Sequence, residues 1–122
     1  MKKIISQQLK MLGVPANVLG YEYLREAVAL VVEDKTYIYK ITQALYPEVA
    51  KRFNTTPSKV ERAIRHAIDR ATLYAPLSEW AKVFGNSVST THGKHTNSVF
   101  IAGVADYITL ENEDGKNVSE NI

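Results

Sequence analysis

The chain has 122 residues, 45% of them apolar, which is one domain by length with enough apolar material for a single core. It contains no cysteine, which excludes disulfides, thiolate chemistry and Cys-based zinc sites. The formal charge of +2 is small but polarised: Lys35 to Arg70 holds eight Lys/Arg against three acidic residues, and Asp106 to Ile122 holds five acidic residues against Lys116 alone. The N-terminal MKKIISQQLKMLG is broken by polar residues, and no stretch approaches the roughly 20 apolar residues that cross a bilayer. The sequence therefore reads as a cytosolic protein with no signal peptide.

Residues 2–12 place Ile4, Ile5, Leu9 and Leu12 on one side of an amphipathic helix that Gly13 stops. Val14 to Asn17 form a connector closed by Gly20. Residues 21–33 predict a strong helix with Leu24, Ala27, Val28, Val31 and Val32 on one face. Thr36 is the expected cap of a next helical segment carrying Ile38, Ile41, Ala44 and Leu45. Pro47 disfavours helical geometry at Tyr46, so a break is expected there, with a new helix over 47–53.

From Pro47 to Arg70 the pattern is a short helix, a tight polar turn and a longer basic helix. Val49, Ala50 and Phe53 make the first apolar face, and Asn54 to Pro57 make the turn, with Thr56 as cap. Val60, Ala63, Ile64, Ala67, Ile68 and Ala71 then repeat at i, i+3, i+4, i+7, i+8 and i+11. The opposite face carries Lys59, Glu61, Arg62, Arg65, His66, Asp69 and Arg70. A helix-turn-helix of this kind sets its second helix into a DNA major groove, whereas the plainer reading is a solvated helix face.

The TLYAP stretch ends the long helix, and Leu77 to Phe84 predicts a short one with Leu77, Trp80, Ala81 and Phe84 inward, stopped by Gly85. Residues 86–96 are polar and small. Thr96 or Asn97 caps a last helix with Phe100, Ile101, Val104, Ala105 and Ile108 on one face. Around that cap Lys94, Thr96, Asn97 and Ser98 are candidate phosphate ligands, because free N–H groups at a helix start attract an anion; an ordinary N-cap is the plainer reading. Residues 111–122 are acidic, have little to bury, and read as a disordered tail beyond a folded unit of residues 1–110.

Several stretches are similar to a known family: GVPAN, GYEYLREA, ALYPEVAKRFNTT, KVERAIRHAI, FGNSVS and THGKHTNSVFIAGVAD. Over about residues 4–110 the chain resembles the C-terminal DNA-binding effector domain of the stage-zero sporulation master response regulator of endospore-forming Firmicutes. The resemblance implies an all-α, compact bundle of about six helices containing the helix-turn-helix, in agreement with the periodicity. It implies a transcription regulator reading a TGNCGAA-like box in double-stranded DNA; a homodimer or a tandem dimer on DNA is a further expectation. By matching motif positions, base reading falls on Lys59, Glu61, Arg62 and Arg65, with Thr56, Ser58 and His66 against phosphates. Lys59 stands where the family usually has Arg, and an ammonium lacks the bidentate grip on guanine O6 and N7.

In the family, the short helix and its following loop contact the sigma factor of RNA polymerase; the matching positions are Glu79, Lys82, Phe84 and Val88. The sequence opens at Met1 directly ahead of the first effector helix, so phosphorylation control by a receiver domain is not carried over. The alternative function is a receiver-less interaction module that pairs with a full-length regulator, with Phe100, Ile101 and Val104 as the pairing surface, or competes for its sites. Surface placement accounts for His66, His92 and His95 better than a metal site does: His92 and His95 sit three apart, but no Cys accompanies them and no Asp or Glu lies close by. No cofactor is implied, and no catalytic grouping is present, so the chain reads as a non-enzyme.

Overall fold

The first helix ends where the sequence supplies a residue able to take a left-handed backbone. Gly13 has φ +91°, its N–H donates to the Lys10 carbonyl, and the Val14 N–H donates to that of Leu9, each at 3.0 Å. These two bonds satisfy carbonyls that the end of a helix leaves open. The computed structural model describes residues 1–74, 76–85 and 96–120, with side chains as far as residue 113. Among them are six α-helices and no strand: α1 (Lys2–Met11), α2 (Leu19–Glu33), α3 (Tyr46–Arg52), α4 (Pro57–Tyr74), α5 (Leu77–Phe84) and α6 (Asn97–Glu120).

The fold is all-α, as expected, and α2 is its central rod. Nine of its fifteen residues are buried, from Gly20 to Val31. Its widest contacts are with α4 and α6, and α1 covers a further side. A helix buried on several faces must be apolar around most of its circumference, as YEYLREAVALVV is. α6 closes the bundle with Phe100, Ile101 and Val104, each fully buried. That burial corrects one expectation: these three residues form the chain's own core and offer no pairing surface.

Other local expectations change for identifiable reasons. Ile4 is 42% exposed, so the buried stripe of α1 is Ile5, Leu9 and Leu12. The cap after α2 is Asp34, whose carboxylate accepts from the Thr36 N–H at 3.0 Å and the Thr36 hydroxyl at 2.7 Å; Thr36 is the capped residue. A 3₁₀ stretch (Lys35–Lys40) and a π-helical turn (Ile41–Leu45) follow. Tyr46 is helical, with φ −60° and ψ −43°, despite preceding Pro47. The wide turn before it and burial of the Leu45 and Tyr46 side chains outweigh the local proline preference. Pro47 itself sits in the first turn of α3, where a missing N–H costs little.

α4 runs to Tyr74, beyond Ala71. α5 docks through Trp80, whose indole N–H donates to the Leu12 carbonyl at 2.9 Å and whose ring packs on Phe84 and Phe100. This anchoring turns Leu77 and Ala81 outward, contrary to the sequence expectation.

One charged group lies inside the bundle. Glu26 of α2 is 5% exposed and accepts from Lys2 of α1 at 2.8 Å and from Arg52 of α3, which also reaches Glu48 at 3.1 Å. Burial pushes the Glu26 carboxyl up, but hydrogen bonds and charge from Lys2 and Arg52 outweigh it, leaving it below its ordinary value of 4.5. A carboxyl with a lowered folded-state value stabilises the fold fully above its unfolded value and loses that contribution as pH falls through the folded one. Thermal melts from pH 7 downward should therefore show a stability gap between the wild type and Glu26→Gln that is widest above about pH 5 and narrows below about pH 4. A gap that widens on acidification contradicts this assignment.

Candidate nucleic-acid interface

The turn between α3 and α4 is built by two local devices. Asn54 adopts φ +53°, a conformation Asn tolerates better than most residues, and the Thr55 N–H donates to the Ala50 carbonyl at 2.9 Å to close α3. Thr56 then caps α4: its Oγ1 accepts from the Lys59 N–H at 3.3 Å and lies 3.4 Å from the Ser58 hydroxyl. Behind the turn, Phe53 packs on Tyr23 of α2 with ring centroids 5.0 Å apart.

α4 buries Val60, Ile64, Ala67, Ile68 and Ala71 against the bundle. At about 100° per residue, Ser58, Lys59, Arg62, Arg65 and His66 fall within an arc of roughly 120° on the other side. All five are exposed. Glu61 lies at the edge of this face and is ion-paired with Arg65 one turn on. The pair holds the guanidinium in place rather than contributing much stability, since exposed i,i+4 pairs contribute only a few tenths of a kcal/mol.

Beside this face is an open groove of about 660 Å³, between α4, the π-helical turn and the start of α6. Thr42, Gln43, Glu61, Arg65, Thr96 and Ser98 contribute to its walls. Thr96 caps α6, accepting from the Val99 N–H at 3.3 Å, and its hydroxyl lies 3.3 Å from that of Ser98. Thr96 and Ser98 are exposed. Asn97 differs: it is 9% exposed, and its side-chain amide donates to the Tyr46 hydroxyl at 3.2 Å and to the Glu61 carbonyl at 3.0 Å. Burial raises the Tyr46 hydroxyl above its ordinary value, with Asn97 and Arg65 acting the other way, so the phenol stays protonated.

Thus Ser58, Lys59, Arg62, Arg65 and His66 share one face of α4 next to the Thr56 cap, Glu61 and Arg65 line the groove with Thr96 and Ser98, and Asn97 turns its amide inward. Lys94 and Val88 lie outside the described residues. Glu79 and Lys82 pair with each other at 3.4 Å on α5, with the Glu79 side chain only 21% exposed, and Phe84 is half-buried against Trp80 and Phe100. Among the described residues no group of three or more His, Asp or Glu is placed to hold a metal ion, and no helix is long and apolar enough to cross a membrane.

The model of one protein family, described as the sporulation initiation factor Spo0A C-terminal domain, matches residues 5–108. The chain belongs to this family. The family is a DNA-binding effector domain of a sporulation regulator, and the match takes in the whole helix-turn-helix and, among the described residues, all of the buried core from Ile5 to Ile108.

What sets α4 within the Spo0A C-terminal fold is a close helix crossing that sequence reading missed. A Cβ at Gly20 of α2 would lie 2.1 Å from the Ala63 carbonyl oxygen and 2.8 Å from the Ala67 Cβ of α4. In the sequence, Gly20 passes for a connector residue; the small residues Ala63 and Ala67 opposite it were the available signal. Gly20→Ala should gain up to about 1 kcal/mol of helix propensity. It should lose more to the backbone overlap, for a net destabilisation of about 1–3 kcal/mol in urea unfolding. Unchanged or increased stability would mean that α2 and α4 are not held this close.

Proposed function

We propose that this domain binds double-stranded DNA in a sequence-specific manner, reading a TGNCGAA-like box through α4 as a transcription regulator. The observation that supports this reading is the exposed arc of Ser58, Lys59, Arg62, Arg65 and His66 on a helix whose opposite face is buried. Arg62 and Arg65 read guanines by bidentate donation to O6 and N7. Glu61 orients Arg65 and, as an acceptor, favours cytosine N4 over a base that presents only acceptors. Lys59 gives a looser contact than Arg would at the same place. Thr56, Ser58 and His66 at the motif, with Thr96 and Ser98 at the start of α6 and Lys94 just ahead of them in the sequence, hold phosphates on either side and fix the register without carrying sequence information.

Residues 1–110 act as the reading unit, with 111–122 as an acidic appendage. Contact with the polymerase sigma factor is assigned to α5, where Lys82 is exposed beside Glu79.

Fluorescence anisotropy with a TGNCGAA-type duplex and a scrambled duplex, both at one stated salt concentration, tests the reading. The box should bind more tightly, and Arg62→Ala or Arg65→Ala should each cost about 1–3 kcal/mol on the box while relaxing the preference. Lys59→Arg should sharpen discrimination at a single base position. Equal affinity for the two duplexes sinks the proposal.

A further inference from the structure

A carboxamide buried at the junction of three helices is a costly choice unless its donors are satisfied, and Asn97 satisfies both. It is the first residue of α6, Tyr46 is the first residue of α3, and Glu61 sits in the second turn of α4. The Glu61 carbonyl belongs to the backbone directly between Lys59 and Arg62, and its own side chain holds Arg65. α4 lies close to α6 over much less of its length than it does to α2. Apolar packing on α2 and α3 resists separation of the helices but is non-directional, and the Gly20 crossing fixes the spacing while leaving α4 freedom to roll about it. A hydrogen bond of 3.0 Å from a buried side chain to one named carbonyl removes that freedom.

We propose that Asn97 is a positioning residue for DNA reading: by donating to the Glu61 carbonyl and the Tyr46 hydroxyl, it sets the exposed face of α4 in register with the start of α6. Base reading by α4 and phosphate contact at Thr96 and Ser98 must engage one duplex at once. An error in their mutual placement acts on the specific complex, because bidentate base contacts tolerate little displacement, whereas phosphate contacts along a regular backbone are forgiving. Asn97 therefore governs discrimination rather than general affinity, and it does so without touching DNA. This rests on the reading in which α4 contacts the box.

The test compares wild type, Asn97→Ala, Asn97→Asp and Tyr46→Phe by anisotropy on box and scrambled duplexes, with a thermal melt of each. Wild type must first prefer the box; if it does not, the α4 reading fails and Asn97 has no preference to set. Given that preference, Asn97→Ala should lose about tenfold on the box and less than about threefold on the scrambled duplex. Asn97→Asp, of the same shape but without the donors when ionised, should behave like Asn97→Ala. Tyr46→Phe, which keeps the Glu61 bond, should retain most of the preference. Should Asn97→Ala fail to melt cooperatively, Asn97→Ser, which keeps one donor, carries the same comparison with a smaller loss.

Two outcomes overturn the proposal. A lower melting temperature with the box-to-scrambled ratio unchanged within twofold assigns Asn97 to stability alone. An equal loss on both duplexes with a salt slope reduced by about one unit makes it a direct phosphate ligand.

Discussion

The structure depends on how closely α4 can approach α2. Gly20 faces Ala63 and Ala67 across that crossing, and the distance from a Cβ at Gly20 to the Ala63 carbonyl oxygen would be 2.1 Å. Helices normally keep 8–10 Å between axes because side chains fill the space; with no side chain at Gly20 and only methyl groups at Ala63 and Ala67, the backbone of α2 meets the backbone of α4. α2 is buried on several faces, so this approach is made against a fixed rod. The charged face of α4 is then held at a set height above the bundle, which a loosely packed surface helix would not achieve.

Two buried polar groups supply direction where apolar packing cannot. Glu26 draws Lys2 and Arg52 onto α2 and ties α1 and α3 to it. Asn97 ties the beginnings of α3, α4 and α6 at another corner. Both groups are satisfied by partners from other helices, so each specifies a relative placement as well as avoiding an unpaired buried group. In the proposed DNA contact the placement of elements matters as much as their presence, because base edges and phosphates must be met together.

The helical elements and most of the core were legible because the apolar positions repeat at helical spacing. Val60, Ile64, Ala67, Ile68 and Ala71, and Phe100, Ile101, Val104, Ala105 and Ile108, are buried where that periodicity puts them, with Ala63 partly buried against α2. Reading was weaker where one residue serves two neighbours. Tyr46 is helical although it precedes a proline, since its burial decides its geometry. Leu77 is exposed because Trp80, bonded to the Leu12 carbonyl 68 residues away and packed on Phe100, sets the rotation of α5. For the candidate site, the exposed basic face of α4 was readable from the same periodicity that buries its other side. Asn97 was not, because a residue at a helix start next to Thr96 and Ser98 looks like another surface ligand until its burial is known.

By itself, the sequence determined the class of fold, the position of the helix-turn-helix and the charged face of its second helix, together with membership in a family of DNA-binding sporulation effectors. These properties are local or pattern-borne: periodicity, capping by Thr56, the left-handed Asn54 and long matching stretches all lie within a few turns of chain. The tertiary structure alone decided the crossing at Gly20, the enclosure of Glu26, the inward turn of Asn97 and the burial of Phe100, Ile101 and Val104. Each of those depends on residues tens of positions apart meeting at a distance of a few ångströms, and no spacing rule along one chain encodes which of many compatible surfaces meet.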